Sequence, residues 1–201
     1  TAHHSKSLWG PYVAAKINPV LTHRHLGSKC PLQALGHADL VQTQKGEWYS
    51  VFLGKRMLNE YNPLARETFM CKVEFEDSTP IFNPGMGMIL PKQERPDLPW
   101  TPVKAKPARD NFDSPTLGSE WYFVRIPQKA FHNLINSQLA LTLQPEIVDS
   151  LVNSAMIIQK TRHHQFKATT LLNFQTKKDN EQAGLILYRT ANGYYSLLKD
   201  K

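Results

Sequence analysis

Residues 68–77, TFMCKVEFED, read at a period of two, place Phe69, Cys71, Val73 and Phe75 on one face. A period of two belongs to an extended strand, whose successive side chains point to opposite faces, and not to a helix with its period of 3.6. The same signal returns in DLVQTQ, EWYSVFLG, QLALTLQP, SAMIIQKT, QFKATTLLNFQT and AGLILYRTANGYYSLLKD. Lys45-Gly46 reads as a two-residue hairpin turn between the first two of these, and ANG as a further turn ahead of Tyr194 and Tyr195. The one rival for a helical period, PEIVDSLVNSAMI, reads as a turn followed by a strand. The class expected is all-β.

One stretch breaks the alternation. Residues 90–114 hold Pro91, Pro96, Pro99, Pro102 and Pro107, a density that neither a central strand nor a helix interior tolerates. An extended, stiff connection is expected there, dividing the chain into residues 1–102, a Pro-rich linker at 103–109, and residues 110–201.

Composition narrows the function classes. A chain of 201 residues can bury a hydrophobic core, and it has no run of about 18 apolar residues, so no membrane-spanning helix and no membrane partner are expected. The start, TAHHSKSLWGPY, has no Met and no apolar core of a signal peptide, which fits a processed chain or a piece of something longer. The net charge of +7 raises a nucleic-acid reading, but Lys and Arg are spread thinly along the sequence. A solvated basic surface with no nucleic-acid partner is therefore expected. Cys30 and Cys71 lack CxxC spacing, which removes a zinc ribbon and leaves their pairing open.

Candidate chemistry centres on a few residues. Most acids fall on strand surfaces (Glu47, Glu74, Glu76, Asp77), in the connector (Asp97, Asp110, Asp113) or in a polar loop (Asp179, Glu181), where carboxylates are solvated. Glu67 is different, because it follows Arg66 just ahead of a buried strand; the two could form a structural ion pair, or the Arg66 guanidinium could fork onto sugar hydroxyls or a carboxylate. His37, between Gly36 and a hairpin, could ligate a metal, act as a general base or sit satisfied in a core. His23, His25 and Cys30 raise zinc, since His-x-His on a strand puts both rings on one face, although the spacing closes no recognised site. The pairs His3-His4 and His163-His164 read as surface residues on strands. Trp9, Trp48 and Trp121 are expected as packing anchors rather than sugar platforms, and Trp100 as a staple between connector and domain.

Taken in order, SLWGPY, NPVLTHRHLG, GHADLVQTQKGEWYSVFLGKR, ARETF, GMGMILPKQERPDLPW and ARDNFDSPTLGSEWYFVRIPQ resemble the C-terminal part of glycoside hydrolase family 43, in its β-xylosidase and α-L-arabinofuranosidase branch. The resemblance implies the last blades of a five-bladed β-propeller over residues 1–102, then an incomplete concanavalin-like β-sandwich over 110–201. It implies that His37, in Gly-His-Ala, helps hold a structural calcium ion or its water shell in the propeller cavity. It implies that Arg66, in Arg-Glu-Thr, reaches the sugar, with Ala65 standing where a glycine is usual. The family inverts the anomeric centre with an Asp base, a Glu acid and a second Asp, all expected upstream of Thr1. The implied function is thus part of a hydrolase that removes xylosyl or arabinofuranosyl residues from xylan or arabinoxylan oligosaccharides, this chain lacking the catalytic carboxylates. A non-catalytic carbohydrate-binding β-sandwich is the alternative. Missing blades would leave sheet edges open to self-association.

Overall fold

The computed structural model describes residues 1–200. The chain divides into two compact units, Thr1–Pro102 and the unit that begins at Val103. Among the described residues every regular element is a strand except a single 3-10 turn, Arg24–Leu26, and no helix is long and apolar enough to cross a membrane.

The first unit opens with a small ladder of β1 (His3–His4) on β2 (Val13–Ala14). Its main body is an antiparallel meander of β3 (Leu32–Gln42), β4 (Trp48–Arg56), β5 (Glu67–Glu76) and β6 (Thr79–Phe82), paired in sequence order. The alternation in β5 does what its period demands. Opposite pairs Phe52–Phe69, Ser50–Cys71 and Trp48–Val73 stand on one face of the sheet, and Leu32, Phe52, Cys71, Val73 and Ile89 form the buried core there, with Leu35, Phe69 and Phe82 packed against it. The rings of Phe52 and Phe69 stack with centroids 6.2 Å apart. Phe75, expected on this face, lies at the rim and meets Trp48 edge-on at 5.5 Å.

The β3–β4 turn differs from the expected two-residue form. Thr43 N–H bonds to Glu47 C=O at 2.8 Å and Gly46 N–H to Thr43 C=O at 2.9 Å, leaving Gln44, Lys45 and Gly46 as a three-residue loop with Gly46 at φ +84°. A β-turn closed by a left-handed glycine suits the twist of the strands it joins. Gly54 of β4 is required by packing: a Cβ there would come within 2.9 Å of Leu35 Cδ2 and 3.0 Å of the Phe69 ring.

The second unit holds three separate antiparallel ladders. They pair β7 (Trp121–Phe123) with β10 (Ile157–Gln159), β8 (His132–Ile135) with β9 (Gln138–Leu141), and β11 (Ala183–Thr190) with β12 (Gly193–Lys199). The expected strand QFKATTLLNFQT does not form, and Leu171 within it is 99% exposed. Its alternation lacks a neighbouring strand to complete a ladder, and a strand has no internal hydrogen bonds of its own. His163 and His164 therefore lie in coil, not on a strand.

Candidate functional site

The start of β3 carries two irregularities three residues apart. Between the pairs Gln33–Lys55 and Gly36–Leu53, and again between Gly36–Leu53 and Asp39–Val51, β3 advances three residues while β4 advances two. Each is a bulge with one extra residue, and each contains a left-handed residue, Ala34 and His37, both at φ +52°. Bulges bend and twist the strand and re-aim the side chains beside them. A histidine tolerates this region better than most side chains, though still at a cost. His37 is exposed, and it lines a cavity of about 630 Å³ together with His23, Gln33, Leu35, Pro80 and Phe82.

His23 is the histidine the core has satisfied. It is buried, its Nδ1 lies 2.7 Å from the Leu32 carbonyl oxygen, and its Nε2 accepts the Ile89 N–H at 2.8 Å. A carbonyl can only accept and an amide N–H can only donate, so Nδ1 carries the proton and the ring is neutral. Both nitrogens are used, and His25 sits exposed on the 3-10 turn instead of sharing a strand face with His23. The zinc reading falls on these two facts. Cys30, also buried, places its Sγ 3.5 Å from His23 Nδ1 and 3.4 Å from the Leu32 carbonyl oxygen. Cys30 and Cys71 are both free.

Arg66 and Glu67 are not partners. Glu67 receives a two-pronged contact from Arg56, with Nη2 at 2.8 Å from Oε1 and Nε at 3.3 Å from Oε2. Glu67 pairs with Gly54, the β4 residue two before Arg56, and that register sets Arg56 beside it. Arg66 is exposed, just outside β5, and among the described residues it has no hydrogen-bond or ion-pair partner. The residue before it, Ala65, takes φ +57° and donates its N–H to Asn62 C=O at 3.0 Å. A left-handed turn thus aims Arg66. The structure does not bring Arg66 and His37 into one pocket: their strands are separated by β4, about 10 Å apart at the usual strand spacing, and Arg66 is not in the cavity lining.

Several other acids are engaged at the surface, whereas Glu47, expected as a solvated strand-surface carboxylate, is half-buried with its Oε2 enclosed and without a hydrogen-bond partner among the described residues. Asp77 faces Lys16 at 3.9 Å, Glu74 faces Lys72 at 3.3 Å, and Glu120 meets Lys106 at 2.6 Å. Asp97 bonds Lys45, and that ammonium holds its carboxyl below the usual range. No Asp or Glu lines the cavity beside His37. Among the described residues no group of three or more His, Cys, Asp or Glu is placed to hold a metal. Calcium takes six to eight oxygen ligands, several of them carboxylates. The cavity offers Thr1, Thr22 and Gln33 side-chain oxygens beside His37, so these residues do not by themselves fit a calcium cage.

The tryptophans divide differently from expectation. Trp9 is 91% exposed and anchors nothing, because the tight SLWGPY turn, with Gly10 at φ +88°, holds it out from the body. Trp48 packs on the core, and Trp121 donates Nε1–H to Asp110 at 2.7 Å while its ring meets Phe112 at 5.5 Å. Trp100 is exposed under the Arg95 guanidinium, 5.3 Å away, a contact within the connector itself.

A four-stranded antiparallel meander with a buried face is the repeating unit of propellers, and here it is followed in sequence by a second all-β unit. This combination defines a class of multi-part all-β proteins. Residues 1–80 match the model for glycosyl hydrolases family 43, and residues 109–201 match that for the beta xylosidase C-terminal concanavalin A-like domain. The chain belongs to glycoside hydrolase family 43. It is similar to a non-reducing end alpha-L-arabinofuranosidase of Bacteroides ovatus, 36% identical over 96% of this chain and 37% of the relative. It is also similar to a xylosidase/arabinosidase of Butyrivibrio fibrisolvens, 34% identical over 98% and 40%. Among solved structures, a family 43 protein of the Bacteroides ovatus xyloglucan locus superposes with a TM-score of 0.85 at 34% identity, covering 98% of this chain and 39% of that one. The chain therefore spans about two fifths of the length of the relatives it matches.

Proposed function

We propose that this chain forms the part of an inverting xylosidase or arabinofuranosidase that contributes His37 and Arg66 to the sugar site and carries the appended concanavalin-like domain, without the catalytic carboxylates. The observation that carries the reading is the cavity beside His37, large enough for a monosaccharide and bordered by no Asp or Glu. Inverting hydrolysis needs two carboxyl groups about 6.5–9.5 Å apart, one protonating the leaving oxygen and one activating water. A cavity lined by His37 and Arg24, with Arg66 outside it and no carboxylate, can bind and orient a sugar, and cannot move the two protons of the reaction. The unpartnered Arg66 fork, held out by the left-handed turn at Ala65, suits vicinal sugar hydroxyls or a neighbouring carboxylate.

The meander then stands as one blade of the five-bladed propeller, residues 110–201 as the sandwich, and xylo- or arabino-oligosaccharides as the ligands. A calcium ion contacted by His37 would draw its remaining ligands from outside the described residues, so no step is assigned to it. The outer edges of β3 and β6 remain open, and we propose that they drive self-association, which a concentration-independent monomer in light scattering would contradict.

The test is an NMR titration of the labelled chain with xylobiose and with arabinofuranosides. Shifts confined to the neighbourhood of His37 and Arg66, lost in the Arg66→Ala variant, support the reading. Shifts confined to the second unit favour the alternative, a non-catalytic carbohydrate-binding β-sandwich, whose exposed Tyr194 and Tyr195 on β12 would serve as platforms.

A further inference from the structure

The net charge of +7 is uneven: residues 103–201 carry thirteen Lys or Arg against eight Asp or Glu. Within that unit no acidic residue occurs between Asp149 and Asp179, while Lys160, Arg162, His163, His164 and Lys167 fall in one short run. The run leaves β10 as coil, and all of these side chains but His164 are exposed. Lys160 is held in place by a neutral partner, its Nζ lying 5.2 Å from the centre of the Tyr122 ring on β7. Register explains the contact: Ile158 pairs with Tyr122, and Lys160, two residues on, stays on the same side. An ammonium positioned by a carboxylate is neutralised by it, whereas one positioned by an aromatic face keeps its full charge for a ligand. Arg162 and Lys167 have no acidic partner among the described residues either, and Phe166 between them is 54% exposed.

We propose that Lys160, Arg162 and Lys167, with Phe166 between the last two, form a docking strip for the carboxylates of an acidic saccharide, a uronate-substituted xylo-oligosaccharide. The choice of a saccharide over other polyanions rests on the function proposed above. The arginine offers a fork that matches a carboxylate, the lysines add point charges along the strip, and the phenyl ring offers an apolar face to a pyranose. A neutral xylan backbone gains nothing from the cations, so the strip discriminates by charge.

The experiment is calorimetric titration of the whole chain with xylotriose, with the same trisaccharide bearing one glucuronic acid, and with a short single-stranded DNA. Exposed ion pairs of this kind are weak, so the uronate should improve affinity about five- to tenfold at about 50 mM salt and almost not at all at about 500 mM. In an Arg162→Gln/Lys167→Gln variant the advantage should vanish while xylotriose binds as before; both side chains are exposed and unpaired, so the fold is not at stake. Equal affinity for the two saccharides, an advantage that survives in the variant, or DNA binding as tight as the uronate would each overturn the proposal. Binding of the uronate alone, without xylotriose, would refute the sugar site at His37 and Arg66 while supporting the strip.

Discussion

Replacing Ala65 by glycine should stabilise the first unit. Ala65 sits at φ +57°, in the left-handed region, one residue ahead of Arg66. For a residue with a Cβ that conformation costs about 1–2 kcal/mol, because the Cβ crowds the following carbonyl oxygen. Glycine removes the crowding and gives back about 0.5–1 kcal/mol through its freer unfolded chain. The net gain is about 0.5–1 kcal/mol, which for a unit of about a hundred residues raises Tm by about 2–8 °C. Scanning calorimetry of Ala65→Gly beside Ala65→Val measures it, and the β-branched variant should lose stability by more than 1 kcal/mol on the order-of-magnitude scale for such outliers. A glycine variant that melts lower than the parent would refute the claim that this turn is left-handed, and with it the turn that aims Arg66.

Three further outcomes follow from the same geometry. His23→Ala leaves the Leu32 carbonyl and the Ile89 N–H without their buried partner and should cost about 2–4 kcal/mol in urea titrations, against less than about 1 kcal/mol for His37→Ala. Burial pushes the Cys71 thiol up to about 11, so it stays protonated in the fold at pH values where the unfolded chain ionises. A raised folded pKa means stability that is complete below about pH 9 and lost as pH climbs toward 11, by about 2 kcal/mol; the loss should shrink in Cys71→Ala when alkaline unfolding curves are compared. Arg66→Ala should leave stability within about 0.5 kcal/mol, whereas Glu67→Ala, which strips Arg56 of its carboxylate, should cost up to about 1 kcal/mol in the same titrations.

What could be read from the sequence was whatever repeats locally. The β5 face of Phe69, Cys71 and Val73 follows from period two. The left-handed turn that Ala65 adopts was not foreseen, since alanine itself gives no sign of a positive φ. Partners distant along the chain were hidden. His23 finds Ile89 sixty-six residues away, and no spacing announces that. Glu67 prefers Arg56 over its neighbour Arg66 because strand register, not sequence adjacency, decides which side chains stand together. The QFKATTLLNFQT segment carries the alternation of a strand and remains coil, since alternation offers a face while only a neighbour supplies hydrogen bonds. The two bulges that set His37 in its cavity leave no mark beyond Gly36, because a bulge is a mismatch between two strands.

A proton NMR time course of xylobiose and an aryl arabinofuranoside with the purified chain tests the central claim most directly. The account predicts no hydrolysis over a day, with saturation transfer from the protein to the bound sugar. Release of xylose or arabinose with the inverted anomer appearing first, abolished by Glu67→Gln, would contradict it and place the catalytic acid and base within these residues.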